Sequence, residues 1–288
     1  MWIILTIITV VARAVYGVLT KVLSGHVKVH PMTTQTVLLM AMVTLQTIVI
    51  APFVGGIQLT VEPGLWWPLG WAILTSTLGN VFYFYGVAKL SSGSTQIIFS
   101  SIVIWGALLS WMILGSRFGV LQLAGILLLL CAILMVQYQR GFGLTSGAGI
   151  WLVLISAACF AGFQVSSAVL SKSMPTGTYL FLAYLSDTLL LGIPYAGRII
   201  RDLRAVRASW GSLAKVIFLT GLASVLYNLF AYLAYHAAPD AGIVVVLLTT
   251  QVILAVLLSI LFLHERNHMR RKLLAASLAV VAAVMIKA

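Results

Sequence analysis

Apolar residues run along this chain in blocks long enough to cross a bilayer, which takes ~20 residues of α-helix. The blocks predict ten helices, at Trp2–Val22, Thr34–Val54, Trp66–Val87, Thr95–Leu114, Val120–Tyr138, Ile150–Leu170, Thr178–Ala196, Leu213–Ala234, Gly242–Leu263 and Leu273–Ile286. Turn-forming residues separate them, among them His30-Pro31, Gly55-Gly56, Glu62-Pro63-Gly64, Ser91-Ser92-Gly93, Pro175-Thr176-Gly177 and Pro239-Asp240.

The pattern also repeats. Shifting the chain by 149 residues places Trp2 on Trp151, Ala12 on Ala161, Tyr83 on Tyr232, Gly93 on Gly242 and Arg117 on Arg266. The same shift lays Leu108-Leu109-Ser110 on Leu257-Leu258-Ser259. Two halves are expected, residues 1–145 and 146–288, each with five helices. An odd number per half inserts the second half upside down, and inverted repeats of this kind hold a substrate site near the midplane. The expected fold is thus an all-α integral membrane protein of about ten transmembrane helices in two inverted five-helix repeats.

Composition removes the soluble alternatives. Of 288 residues, 62% are hydrophobic and 8% charged, whereas soluble domains carry roughly 25% charged residues. Met1 runs straight into apolar sequence without a basic leader, so no cleavable signal peptide is expected. The net charge of +12 does not point to nucleic acid, because the basic residues sit at helix ends without interleaved aromatics. Thirteen of the 17 Lys and Arg fall in connections on one side of the predicted membrane and three on the other. Excess Lys/Arg marks the cytoplasmic side, which predicts a multi-pass inner (cell) membrane protein with both termini outside. Cys131 and Cys159 lie within apolar blocks and suggest neither disulfide nor metal.

The hairpins Ser92–Val136 and Ala241–Ile286 each open on a turn with a small residue and run through an apolar helix. Their closings read Leu114-Gly115-Ser116-Arg117 and Leu263-His264-Glu265-Arg266. Together with the ten-span, two-repeat layout, these hairpins resemble the drug/metabolite transporter superfamily, specifically its EamA-like branch, whose closing motif is Leu-Gly-Glu or similar. Gly115 and Glu265 match that motif; Ser116 and His264 depart from it. The resemblance implies a secondary transporter or exporter of small metabolites and implies no enzyme activity or cofactor.

A few polar residues stand out inside the apolar blocks. Arg13 is midway along the first, and a guanidinium at that depth costs at least ~2.5–3.5 kcal/mol. Thr6, Thr9, Arg13, Tyr16, Gly17 and Thr20 recur at steps of three and four, so they share one helical face, which should line a cavity or a partner helix. Asp187 is the one carboxylate within a span; it could carry a coupling proton or form an ion pair with Arg13. Asn80, Tyr83, Asn228 and Tyr232 form a second group, either bonding across helices or addressing a ligand. Gln96, Trp105, Gln164 and Gln251 are single candidates, Trp105 because it lies away from the interfacial belt where Trp is usually found. Trp66-Trp67, Trp71 and Trp151 read as that belt. Ala275, Ala279 and Ala283 have the small-xxx-small spacing of close helix packing, serving either a homodimer contact or packing within the chain.

Three functions follow to different degrees. Transport of a small organic anion or zwitterion, such as an amino acid, fits Arg13, whose fork of donors suits a carboxylate. Transport of an amine or quaternary ammonium compound would instead use aromatic faces with Asp187 as counter-charge. His264-Glu265-x-x-His268 formally fits the zinc-protease signature H-E-x-x-H, but no obvious third ligand accompanies it. No G-x-x-x-x-G-K-[ST] loop is present, which disfavours an ATP-driven pump.

Overall fold

The computed structural model describes residues 1–26, 36–87, 89, 98–99, 101–137, 148–205, 210–251, 254–255, 257–258 and 269–287. Ten α-helices have both bounds among them: α1 Trp2–His26, α2 Thr36–Ile50, α3 Trp66–Val87, α4 Ile102–Leu114, α5 Val120–Gln137, α6 Ala148–Leu170, α7 Thr176–Ala205, α8 Trp210–Ala237, α9 Ala241–Leu248 and α10 Met269–Lys287. Short 3-10 turns at Ala51–Val54 and Pro63–Leu65 join α2 to α3. No strand occurs among the described residues. By length and composition, five stretches could cross a membrane: Trp2–Thr20, Thr36–Val54, Ala148–Leu170, Thr176–Arg204 and Trp210–Ala237. Ile102–Leu114 and Val120–Ala132 are shorter apolar helices.

Two elements depart from the sequence pattern. The seventh span was expected to end near Ala196, where arginines begin, yet α7 continues through Pro194 to Ala205. Hydropathy marks the edge of the lipid, and a helix can run past that edge into water. The ninth span was expected to be unbroken from Gly242 to Leu263. Instead α9 starts at Asp240, whose side chain accepts from the Gly242 N–H at 2.7 Å, and stops at Leu248. Thr249 and Thr250 then form a turn, and their hydroxyls donate to the Val246 and Leu247 carbonyls at 2.6 and 2.7 Å.

Packing is reciprocal between the two parts of the chain. α3 lies along α6, and α1 lies along α8; α2 meets α7, α5 meets α10 and α4 meets α9. The α3–α6 contact depends on small residues. A Cβ on Gly86 would stand 2.4 Å from Val153 Cγ2, and Ser156 on α6 donates to the Gly79 carbonyl at 2.8 Å. The α5–α10 contact is equally close, since a Cβ on Gly125 would be 2.9 Å from the Ala282 carbonyl oxygen. Large apolar side chains such as Ile4, Ile7, Val11, Trp111, Met112 and Ile193 face outward. Many polar ones, among them Ser76, Asn80, Gln164, Asp187 and Asn228, are buried. That polarity, apolar outside and polar within, suits lipid.

Candidate functional site

A cavity with about 870 Å³ of free space, counting its mouth, opens between α1, α3, α6, α7 and α8. α1 contributes Arg13, Tyr16, Gly17 and Thr20, the polar stripe now seen to face inward. α3 contributes Ser76, Asn80, Tyr83 and Phe84; α8 contributes Ser224, Tyr227 and Asn228; Tyr184, Gln251, Phe99, Phe160 and Phe163 complete most of the wall. A smaller pocket of about 350 Å³ adjoins it, lined by Gln164, Ser167, Tyr179, Tyr232 and Tyr235. Arg13, Phe160, Phe163, Tyr227 and Asn228 belong to both walls.

Arg13 therefore sits at the junction, and its surroundings are neutral. Its guanidinium carbon is 5.4 Å from the centroid of the Tyr227 ring, a cation–π contact. Oriented with its oxygen toward the guanidinium, the Gln164 amide accepts from both terminal nitrogens of Arg13. Tyr16 lies against Tyr227 with ring centroids 5.4 Å apart, which holds that ring in place. Among the described residues no carboxylate pairs with Arg13. A guanidinium met only by an amide and a ring face keeps donors and full charge available for an anion.

The rest of the wall is held by hydrogen bonds that satisfy buried amides. Asn80 donates to the Ser76 carbonyl at 3.1 Å. Asn228 donates to the Ser224 carbonyl at 3.0 Å and to the Tyr184 hydroxyl. Tyr83, Phe99 and Phe160 form an edge-to-face row with centroids 5.3 and 5.8 Å apart. In the smaller pocket Tyr232 stacks on Tyr179 at 4.4 Å and donates to the Met174 carbonyl at 2.9 Å.

Of the residues singled out from sequence, Arg13, Tyr16, Asn80, Tyr83, Asn228 and Gln251 come together on the main wall, and Gln164 and Tyr232 on the smaller one. Trp105 lines neither; it is 38% exposed on α4, between the exposed Ile104 and Leu108 on the outer surface. Asp187 is not on the wall and does not meet Arg13: its carboxylate accepts from the hydroxyls of Ser76 and Thr77, each at 2.5 Å. Gln96, His264, Glu265 and His268 lie outside the described residues. Sequence reading missed Ser76, Tyr184, Ser224, Tyr227 and the four phenylalanines. A polar step was visible from Ser76 to Asn80, and Tyr227 adjoins Asn228, but a phenylalanine facing a cavity looks the same in sequence as one facing lipid.

Fold and site together define a multi-pass helical membrane protein with a polar cavity among its helices. The profile of the EamA-like transporter family matches residues 1–138 and 147–287, and the chain belongs to that family. Among curated proteins, it is 27% identical over 193 residues to solute carrier family 35 member F3 of Homo sapiens, across 65% of this chain and 46% of that one. The Mus musculus protein of the same name is 27% identical over 175 residues, 58% of this chain and 42% of that one. The match thus spans less than half the length of these relatives. A protein of known crystal structure superposes with a TM-score of 0.75 at 17% identity, covering 98% of this chain and 95% of that one; the likeness is one of fold.

Proposed function

We propose that this protein is a secondary transporter of a small organic anion or zwitterion, such as an amino acid, working by alternating access around the cavity at Arg13. The observation that carries the reading is a guanidinium on the cavity wall, held by Gln164 and Tyr227 and paired with no carboxylate among the described residues. An unmatched cation in a membrane interior is costly, and a ligand carboxylate would offset that cost. The aromatic row Tyr83–Phe99–Phe160 offers an apolar surface for the remainder of the ligand. The amine alternative has less support, because Asp187 lies behind the wall and is already occupied by two hydroxyls. Counterflow of labelled amino acids and organic acids in proteoliposomes is the test. Trans-stimulated uptake of an anion or zwitterion is expected; stimulation by amines alone would sink the reading.

The same proposal includes two inverted repeats, residues 1–145 and 146–288. Three observations support it: the 149-residue period, the two stretches matched by one family profile, and the exchange of partners between α3–α6 and α1–α8. The Lys/Arg asymmetry further supports a cell-membrane location with both termini outside. A cysteine at Lys287 should then react with an impermeant maleimide added to intact cells, and labelling confined to inverted vesicles would reverse the orientation.

A further inference from the structure

Asp187 is 1% exposed, in the middle of α7, and among the described residues no cation acts on it. The titratable groups on the elements packed closely on α7 are these. α2 and the turn after it carry no titratable residue; α3 carries Tyr83 and Tyr85; α8 carries Lys215, Tyr227, Tyr232, Tyr235 and His236. On α7 itself, Tyr179, Tyr184 and Tyr195 flank Asp187 and the basic residues begin at Arg198. None of these acts on Asp187; what acts is burial and the hydroxyls of Ser76 and Thr77. One turn away, Tyr184 is engaged by Asn228. Thr188, the next residue, donates to the Tyr184 carbonyl at 2.8 Å and meets Thr44 at 3.2 Å. A carboxylate inside a membrane protein with no cationic partner is a candidate for a cation or proton pathway. Here two hydroxyls provide its polar contacts and one of them, Ser76, also lines the main cavity.

We propose that Asp187 is a proton-binding site of the transport cycle and that the Ser76 hydroxyl connects it to the ligand cavity. The inference rests on the transport reading above and deepens it. Ser76 Oγ takes a proton from a hydronium ion or a protonated ligand group in the cavity, leaving water or the deprotonated ligand there, while passing its own hydrogen to Asp187 Oδ2. The serine ends unchanged, the carboxylate becomes a carboxylic acid, and the reverse transfer returns the proton.

The test needs no ligand, so it is separate from any failure to find a substrate. Infrared difference spectra of the protein in lipid vesicles are recorded between mildly alkaline and mildly acidic buffer, with sodium held constant and then varied. Acidification is expected to produce a carboxylic-acid carbonyl band that is lost in Asp187→Asn and displaced in frequency in Ser76→Ala, where its hydrogen-bond partner is gone. Should Asp187→Asn misfold, carbon-13 aspartate in the wild-type protein identifies the same band by its isotope shift. A band that survives Asp187→Asn, a band indifferent to Ser76→Ala, no band at all, or a response to sodium in place of pH would each overturn the proposal.

Discussion

Arg13→Ala is expected to cut counterflow of an organic anion by a hundredfold or more while leaving the protein folded. Removing one member of a desolvated charge pair costs roughly 2–5 kcal/mol, and each 1.4 kcal/mol is about tenfold in affinity. The ligand carboxylate would lose its counter-charge at the junction of the two pockets, where only the Gln164 amide and the Tyr227 ring remain. Stability should hold, because Arg13 gives its neighbours only neutral contacts and its removal takes an unmatched cation out of the membrane interior. Arg13→Lys keeps the charge but loses the planar fork, so flux should fall to an intermediate level. Amine flux should be unchanged or higher in Arg13→Ala. Anion flux that survives Arg13→Ala intact would mean that the residue only fastens helices together. The measurement is initial counterflow rate against reconstituted protein, with thermal unfolding as the control for folding.

Gly86→Leu is expected to have the largest effect on stability. Even the first added carbon would lie 2.4 Å from Val153 Cγ2 and 3.3 Å from the Gly149 carbonyl oxygen, so the helices must part before the rest of the side chain is accommodated. Overpacking a tight interior costs typically ~1–3 kcal/mol, occasionally more. The α3–α6 contact has little slack, because backbone approach through small residues is itself what holds membrane helices together. The measure is the detergent-solubilised protein's unfolding temperature, which should fall by several degrees, with loss of monodispersity on size exclusion. A variant as stable as wild type would show that α3 and α6 can separate at no expense. Gly86 lies one turn from the cavity residue Tyr83, so reduced transport is expected as well.

Much of this architecture could be read in the sequence, for a physical reason. Lipid demands an apolar surface over a fixed thickness, so α3 was bounded correctly from hydropathy, and most other helices were placed to within a few residues. The exceptions lie where another force takes over. α7 outruns its apolar block because arginines form helix well in water. α9 stops early at Thr249 and Thr250, whose backbone N–H groups reach back three residues to the Val246 and Leu247 carbonyls, with the hydroxyls joining them there. Within the site, the stripe from Thr6 to Thr20 faced inward as its periodicity required, since polar side chains on one face of a membrane helix must find polar surroundings. What periodicity could not give was the partner of each group. Arg13 and Asp187 are the two opposite charges in the spans, which made an ion pair attractive on paper, yet Gln164 takes the first and Ser76 with Thr77 the second. The aromatic wall was equally hidden, because Phe99, Phe160 and Phe163 would serve as well against lipid.

The turn after α9 has a consequence for how the cavity wall can deform. Hydrocarbon offers nothing to a carbonyl released from its ladder, and each such group left bare costs several kcal/mol, which is why spanning segments are so seldom interrupted. Thr249 and Thr250 supply hydroxyls to Val246 and Leu247 at the point of interruption, immediately before the cavity residue Gln251. The Thr249 and Thr250 backbone N–H groups reach the same two carbonyls at 3.1 and 3.0 Å, so the wall can bend at that spot without leaving either oxygen bare.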